Sequence, residues 1–353
     1  MTLRVPVVSS DECLRHVPDA EIWVGVRTPG TELPERVEVV RAATVAAGAE
    51  QVVAERCDDR LLQQVHSAEL LDYLASAWDR WVAAGFPEDP GQNRVVPYVF
   101  PTSAMLDGLP AREPAATHAR AGRYCYDTMT LIGPGTWEAA RAAVDVATTA
   151  ARLVMAGADA AYALCRPPGH HATRDGFGGS CYLNNAAVAV EAMLEGGATR
   201  VAVIDIDAHH GNGTQSVFYD RADVHYASLH VDPGAGWFPH YLGFADERGR
   251  GNGEGTTMNV PLAPGTGDDG WLAGLAGIRG AVERFGPDAI VVSLGVDAAA
   301  VDPESPLQVT LDGFRRAGAL LAGVAPCVAV QEGGYDLTAL GGLVCAVLEG
   351  LVG

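Results

Sequence analysis

The stretch that decides the fold runs from Val201 to Asn212 and reads VAVIDIDAHHGN. Its first four residues form a short apolar run, which is typical of a strand buried on both faces. Asp205, Asp207 and His209 follow at alternate positions, and alternate side chains of an extended chain project to the same side. Two carboxylates and an imidazole gathered at a buried strand end are unfavourable unless a cation lies among them. The stretch therefore predicts a metal site where a central strand ends.

Three further apolar runs end in polar residues. Ala160–Cys165 is followed by His170 and His171, Ala289–Leu294 by Asp297, and Val328–Gln331 by Tyr335. Strand-like and helical segments alternate along the chain, which indicates right-handed crossovers and one parallel sheet. Ligands of such sheets bind beyond the carboxyl ends of the strands. We therefore expect an α/β protein whose single site is assembled from four chain segments.

The candidate metal ligands are Asp207, His209 and Asp297. Together they would give one divalent ion three protein ligands and leave positions open, which is the catalytic rather than the structural arrangement. A mixed oxygen and nitrogen donor set suits Zn²⁺ and would also hold Fe²⁺, Co²⁺ or Mn²⁺. The sequence predicts one catalytic divalent ion without fixing which.

The adjacent His170 and His171 are the candidate acid and base groups for attack by an ion-activated water. Each needs an outer partner that sets its tautomer, and Asp205 and Asn212 are available. Because a carboxylate raises the pKa of a histidine more than an amide does, we assign His171 with Asn212 as the base. His170 with Asp205 is then a protonated electrostatic partner. Tyr335 would donate its hydroxyl to the oxyanion of a tetrahedral intermediate.

Composition narrows the classes of partner. The formal net charge of −20 argues against nucleic acid and anionic membranes, which need basic patches, and suits a small cationic substrate. All 24 basic residues are arginine, so a catalytic lysine is excluded. Seven scattered cysteines without a CxxC pair indicate reduced thiols and a cytoplasmic protein. No apolar stretch approaches the ~20 residues that span a bilayer.

The pattern shows no linker or repeat, so we expect residues 1–353 to form a single domain. Gly85–Ala121 is rich in proline and glycine and is too long for a plain connection, which is typical of a lid or an interface.

The chain resembles the histone deacetylase superfamily of metal-dependent amide hydrolases in four motifs. In order, these motifs are RPPGHH, IDIDAHHGNGTQ, SLGVD and EGGY. Within this superfamily, the chain is most similar to the bacterial acetylpolyamine amidohydrolases. The segments that carry this similarity are AWDRWVAAG, PGTWEAA, FGGSCYLNNAAVA and FPHYLG. The DAH run and Ser293–Pro303 also resemble two-metal ureohydrolases of the arginase kind. That class needs a GGDH segment and a carboxylate where this chain has Gly211, so one metal is the better interpretation.

The resemblance implies the arginase/deacetylase fold, with a single central parallel sheet of eight strands and helices on both faces. It maps the metal ligands, the general base and the polarising tyrosine onto the residues already assigned. It also implies a homodimer formed through the long loop, and a structural K⁺ or Na⁺ site. That site maps onto Asp205, Asp207, His209, Ser228 and Leu229.

The predicted substrate-binding residues depart in part from the family pattern. Ser180 replaces an aromatic wall of the acyl channel, beside Gly179, and leaves Phe238 as the remaining wall. Two glutamates that similar acetylpolyamine hydrolases carry near the rim are replaced by His118 and Met129. Asp127 lies at a position where the resemblance implies a rim aspartate that binds substrate backbone or amine. Glu304 lies where the resemblance implies a gatekeeping glutamate of the polyamine-selective branch, so a cationic substrate is still expected.

The sequence thus predicts hydrolysis of an N-acetyl or short N-acyl amide on a small amine, an acetylated polyamine being the first choice. A protein or peptide acetyl-lysine deacetylase, or a hydrolase of an amide-bearing metabolite, is the second hypothesis. The third is an inactive module that binds acylated amines, against which the intact Tyr335, His170 and His171 argue.

Overall fold

The computed structural model describes residues 3–353, so Met1 and Thr2 of the predicted domain lie outside the described residues. The apolar runs seen in the sequence form a parallel sheet of eight strands, and a separate pair of antiparallel strands forms a hairpin. In chain order the strands are β1 (Val7–Ser9), β2 (Ala20–Trp23), β3 (Val26–Pro29), β4 (Gln51–Val53), β5 (Ala160–Ala163), β6 (Val201–Asp205), β7 (Val224–Val231), β8 (Thr257–Leu262), β9 (Ala289–Leu294) and β10 (Cys327–Gln331).

The order of strands across the sheet is β4-β1-β5-β10-β9-β6-β7-β8, and all of its pairs are parallel. The four strands that end in polar residues, β5, β10, β9 and β6, are therefore consecutive neighbours in the middle of the sheet. Asp205 at the end of β6 is in register with Ser293 of β9. This register brings the segments that follow the two strands together at one edge, as the sequence predicts.

Helices pack along the sheet and bury its apolar strands. The alanine-rich α6 contacts β1, β5 and β10, α7 contacts β6 and β9, and α9 contacts β6, β7 and β8. The helices are α1 (Glu35–Ala46), α2 (Asp59–Val65), α3 (Ala68–Ala83), α4 (Ser103–Leu106), α5 (Thr117–Tyr124), α6 (Thr136–Met155), α7 (Asn185–Glu195), α8 (Asn212–Phe218), α9 (Asp268–Phe285), α10 (Leu311–Leu321) and α11 (Leu340–Val352).

Side-chain caps fix several helix starts. Asn184 accepts a hydrogen bond from the Ala187 amide at the start of α7, and Thr310 accepts one from Gly313 at the start of α10. Asparagine and threonine are preferred at this position because they satisfy amides that have no partner inside the helix.

The Gly85–Ala121 segment is less irregular than its composition indicates, because it contains the one-turn α4 and the start of α5. His118 lies in α5, where its ring packs near Phe86 and Tyr98 with centroids 5.4 and 5.6 Å away.

All seven cysteines are free thiols. None of the helices formed by residues 3–353 combines the length and the apolar composition that a membrane-spanning helix needs.

Candidate active site

The three predicted metal ligands come together just beyond the ends of β6 and β9. One donor atom each from Asp207, His209 and Asp297 lies within 4.8 Å of the other two. The Nδ1 atom of His209 is 3.0 Å from Asp297 Oδ2 and 3.4 Å from Asp207 Oδ1. Backbone amides orient the carboxylates, since Ala208 donates to Asp297 Oδ1 at 2.8 Å and Gly333 donates to Asp207 Oδ2 at 2.8 Å.

The charges of this cluster fit a bound cation. Asp207 and Asp297 are each 1% exposed. Burial and the neighbouring Asp207 raise the pKa of Asp297 to about 7. Burial lowers the pKa of His209, but its hydrogen bonds to the two carboxylates outweigh that effect and raise it well above the usual range. The pocket therefore stabilises positive charge, and its oxygen and nitrogen donors are those of a divalent transition-metal site.

The histidine doublet lies on the loop that follows β5. His170 Nδ1 is 3.0 Å from Asp205 Oδ2, and His171 Nδ1 is 2.7 Å from Asn212 Oδ1. The two rings are neighbours, with centroids 4.0 Å apart. Both outer contacts expected from the sequence are present, and they differ in charge.

That difference separates the two histidines. Burial lowers the pKa of His170, but the Asp207 and Asp205 carboxylates outweigh it and raise the pKa to about 10. For His171, burial and then the charge of His170 lower the pKa well below its ordinary value. At neutral pH His170 is therefore charged and His171 is neutral, which are the forms required of an electrostatic partner and a general base.

Glu332, at the end of β10, fixes the backbone of the doublet. Its Oε2 atom accepts hydrogen bonds from the amides of Gly169 at 2.6 Å and His170 at 3.1 Å. Glu332, His170 and Cys181 also form a second buried group of donor atoms within 4.8 Å of one another. Sequence analysis did not single out this glutamate, although its place before the two glycines of EGGY was the available signal.

Tyr335 is held by a buried network behind it. Its amide donates to Asp302 Oδ2 at 2.6 Å. The Arg36 guanidinium lies 4.9 Å from the centroid of the Tyr335 ring and donates to the Gly334 carbonyl at 2.7 Å. Glu32 in turn accepts from Arg36 at 2.7 Å. Burial, and then the charge of Glu304, raise the pKa of Tyr335 well above its usual range, so the phenol keeps its proton and can donate it in a hydrogen bond.

We call this set of buried and half-buried groups the catalytic floor. It consists of His170, His171, Asp205, Asp207, His209, Asn212, Asp297 and Tyr335.

Asp127 braces the rim above the floor. Its Oδ1 atom accepts from the amides of Met129 at 2.9 Å and Thr130 at 2.8 Å, and its Oδ2 atom accepts from Gly179 at 2.6 Å. Sequence analysis predicts Asp127 as an amine-binding group, whereas these contacts hold both of its oxygens against backbone. Its evident structural part is to fix the turn that contains Gly179.

The channel wall facing Phe238 comes from a residue that sequence analysis missed. The Tyr126 ring is nearly parallel to that of Phe238, with centroids 6.4 Å apart and planes 14° apart, and its hydroxyl donates to the His171 carbonyl at 2.7 Å. Ser180 brings no ring to the channel. A Cβ atom on Gly179 would lie 2.3 Å from the His171 ring and 2.9 Å from Phe238, so only glycine fits between them.

Glu21 and Glu304 form an acidic pair around Thr31. Thr31 donates its hydroxyl to Glu304 Oε1 and its amide to Glu21 Oε1, the latter at 3.4 Å. Burial and the charge of Glu304 raise the pKa of Glu21 to about 7, and burial raises the pKa of Glu304. Glu21 lies on the β2–β3 hairpin, which the sequence analysis did not foresee. We call Tyr126, Asp127, Gly179, Ser180, Phe238, Glu21 and Glu304 the entrance.

Three of the residues expected to hold a monovalent cation lie on two paired strands, and Asp207 and His209 follow the end of β6. Asp205 of β6 is in register with Ser228 of β7, and Leu229 is the next residue along β7. All three are fully buried, and the Asp207 amide donates to Asp205 Oδ1 at 3.2 Å.

Comparison with known proteins identifies the class. The histone deacetylase domain model matches residues 31–351, and the chain belongs to the histone deacetylase family. It is 42% identical over 349 residues to the acetylpolyamine amidohydrolase of Mycoplana ramosa, covering 98% of this chain and 99% of that protein. It is 41% identical over 348 residues to acetylpolyamine amidohydrolase 1 of Pseudomonas aeruginosa, covering 98% of each.

A solved structure agrees with these relatives. The crystal structure of an acetylpolyamine aminohydrolase from Burkholderia pseudomallei superposes with a TM-score of 0.91 at 37% sequence identity, covering 98% of each chain. The predicted arginase/deacetylase fold with its eight-stranded parallel sheet is thereby confirmed.

Proposed function

We propose that the chain hydrolyses the N-acetyl, or short N-acyl, amide of a small cationic amine, an acetylated polyamine, to give acetate and the free amine. The observation that carries the chemistry is the pair of unlike histidines beside the donor cluster of Asp207, His209 and Asp297. The names of the similar proteins, which are acetylpolyamine amidohydrolases, support the choice of substrate.

The donor cluster would hold the catalytic ion, and Zn²⁺ is our first choice. A divalent cation bound there would polarise the amide carbonyl and lower the pKa of a water molecule. The chain's own residues supply the rest of the chemistry.

His171 is the neutral base that accepts a proton from the attacking water through Nε2, since its Nδ1 atom faces Asn212. It then returns this proton to the departing amine nitrogen, so that the C–N bond breaks and a carboxylate forms. The Tyr335 hydroxyl donates a hydrogen bond to the carbonyl oxygen as negative charge develops on it. His170, charged and held by Asp205, stabilises the same charge without giving up its proton.

The entrance would select the substrate. Tyr126 and Phe238 form two flat walls for a slim aliphatic chain, while Gly179 leaves room next to His171. Glu21 and Glu304 would attract the free ammonium group of the substrate. The net charge of −20 acts in the same direction over longer distances.

Further parts of the proposal rest on the family. Asp205, Asp207, His209, Ser228 and Leu229 would bind a structural K⁺ or Na⁺ ion, partly through backbone carbonyls. We also propose one cytoplasmic domain that forms a homodimer through Gly85–Ala121, without nucleic acid or membrane partners.

The test is kcat/KM for N-acetylputrescine, N-acetylcadaverine and an acetyl-lysine peptide on protein of defined metal content. We expect the two acetylated diamines to be preferred over the peptide. Preference for the peptide would overturn the choice of substrate and favour a protein deacetylase. Absence of turnover on all three would overturn the enzymatic assignment.

A further inference from the structure

A cavity of about 490 Å³ lies at the opposite edge of the sheet from the candidate active site. It is lined by residues at the start of β7 and β8 and at the end of α9, among them His225, Thr257, Arg284 and Phe285. Because the catalytic floor follows the carboxyl ends of the strands, this amino-end cavity shares no residue with it. Its ligand chemistry can be argued separately.

The cavity is basic in a strongly acidic protein. Arg248 and Arg284 line it, and no acidic side chain does so among the residues described, 3–353. The Arg200 guanidinium lies 4.0 Å from the centroid of the Phe285 ring on the same wall. Within the described chain none of these three arginines forms an ion pair. Two arginines without an ion pair thus line one pocket, and Arg200 stacks on its Phe285 wall, in a protein whose net charge is −20.

Buried polar atoms accompany the arginines. His225 is 5% exposed, its ring packs near Phe285 with centroids 5.3 Å apart, and its Nε2 atom is buried without a hydrogen-bond partner in the described part of the chain. Asn259, also 5% exposed, lines the same cavity and has an unpartnered Oδ1 atom. Unpartnered buried polar atoms are uncommon in folded proteins and call for an explanation.

We propose that this cavity binds a small multivalent oxyanion, through phosphoryl or carboxylate oxygens. The guanidinium groups of Arg248 and Arg284 present planar sets of N–H donors that match such oxygens. A neutral His225 on the wall would add an N–H donor through its unpartnered Nε2 atom. An anion here would also offset the positive charge of Arg248 and Arg284, which is a gain that a neutral ligand could not provide.

The proposal is tested by calorimetric titration of the metal-loaded protein with inorganic phosphate and, separately, with citrate, at constant ionic strength. We expect saturable binding of at least one of the two at one site per chain, with a shift of the His225 imidazole proton resonances. Binding of phosphate alone would indicate a phosphoryl ligand, and binding of citrate alone a carboxylate ligand.

The matched variants are the double substitution R248Q/R284Q and the control R316Q. Arg316 is an exposed arginine of α10 outside the cavity. We expect R248Q/R284Q to weaken binding at least tenfold and to abolish the His225 shift, and R316Q to bind like the unmodified protein. Equal binding by R248Q/R284Q, or no saturable binding of either anion, would overturn the proposal. Thermal unfolding checks that both variants are folded.

Discussion

The catalytic floor and the entrance are built by different means. In the floor, the polar groups lie on segments that follow neighbouring strands of the central sheet. His170 pairs there with Asp205, and His171 pairs with Asn212. In the entrance, the side chains come from a hairpin, a rim turn and loops. Both carboxylate oxygens of Asp127 accept hydrogen bonds from backbone amides there. Under the proposed function, the floor would determine the reaction and the entrance would determine the substrate.

The largest effect should follow loss of the base in the floor. His171→Ala removes the neutral imidazole that pairs with Asn212, and general acid–base catalysis typically contributes 10²–10⁴-fold. We expect kcat to fall by about 10³-fold with KM for N-acetylputrescine little changed. Retention of near-normal kcat in a folded variant that still binds metal would contradict the assignment of the floor.

Loss of the phenol should have the next largest effect. Tyr335→Phe removes one donor to the developing oxyanion, and such donors are worth ~10²–10³-fold in kcat. We expect a decrease near 10²-fold. Tyr219→Phe, which removes a phenol outside the site, is the matched control and should leave kcat unchanged. If both variants behave alike, Tyr335 does not act on the carbonyl oxygen.

The two histidines can be made more alike by Asn212→Asp. A carboxylate beside Nδ1 would favour the charged form of His171 and therefore raise its pKa. Because protonation removes the base, the acidic limb of kcat/KM should move to higher pH, and activity below neutral pH should fall. A pH–rate profile measures this shift. An unmoved acidic limb would show that His171 is not the group that titrates there.

The smallest effect is expected in the entrance. Glu304→Gln should raise KM for N-acetylputrescine by about two- to fivefold, since partly exposed ion pairs contribute ~0.2–1 kcal/mol. KM for N-acetylbutylamine, which lacks the ammonium group, should not change. Glu69→Gln, at an exposed carboxylate on α3, is the control. An equal rise for both substrates would contradict charge recognition by Glu304.

The same contrast describes what the sequence could predict. The floor could be predicted from the sequence because its residues follow apolar runs, and the carboxyl ends of parallel strands meet at one edge of the sheet. Asp205 and Asn212 could be predicted as partners because they flank the ligands Asp207 and His209 in the sequence and because each histidine needs a partner that sets its tautomer.

The entrance and the residues that support Tyr335 could not be predicted from the sequence. Tyr126 opposes Phe238 from more than a hundred residues away along the chain, and no local pattern distinguishes it from other tyrosines. In the sequence, Glu32 and Arg36 resemble ordinary charged residues near the start of a helix, although both side chains are buried behind Tyr335. Glu21 lies on a hairpin whose strands are short and partly exposed. The alternation of apolar and polar residues along these strands is therefore too short to be detected in the sequence.

The central claim is that the floor works with one divalent cation held by Asp207, His209 and Asp297. The most direct measurement is acetate release from N-acetylputrescine while chelator-treated protein is titrated with Zn²⁺. The account predicts no turnover without metal and a linear rise that stops at one equivalent per chain. Turnover by the metal-free protein, or a rise that continues to two equivalents, would contradict it.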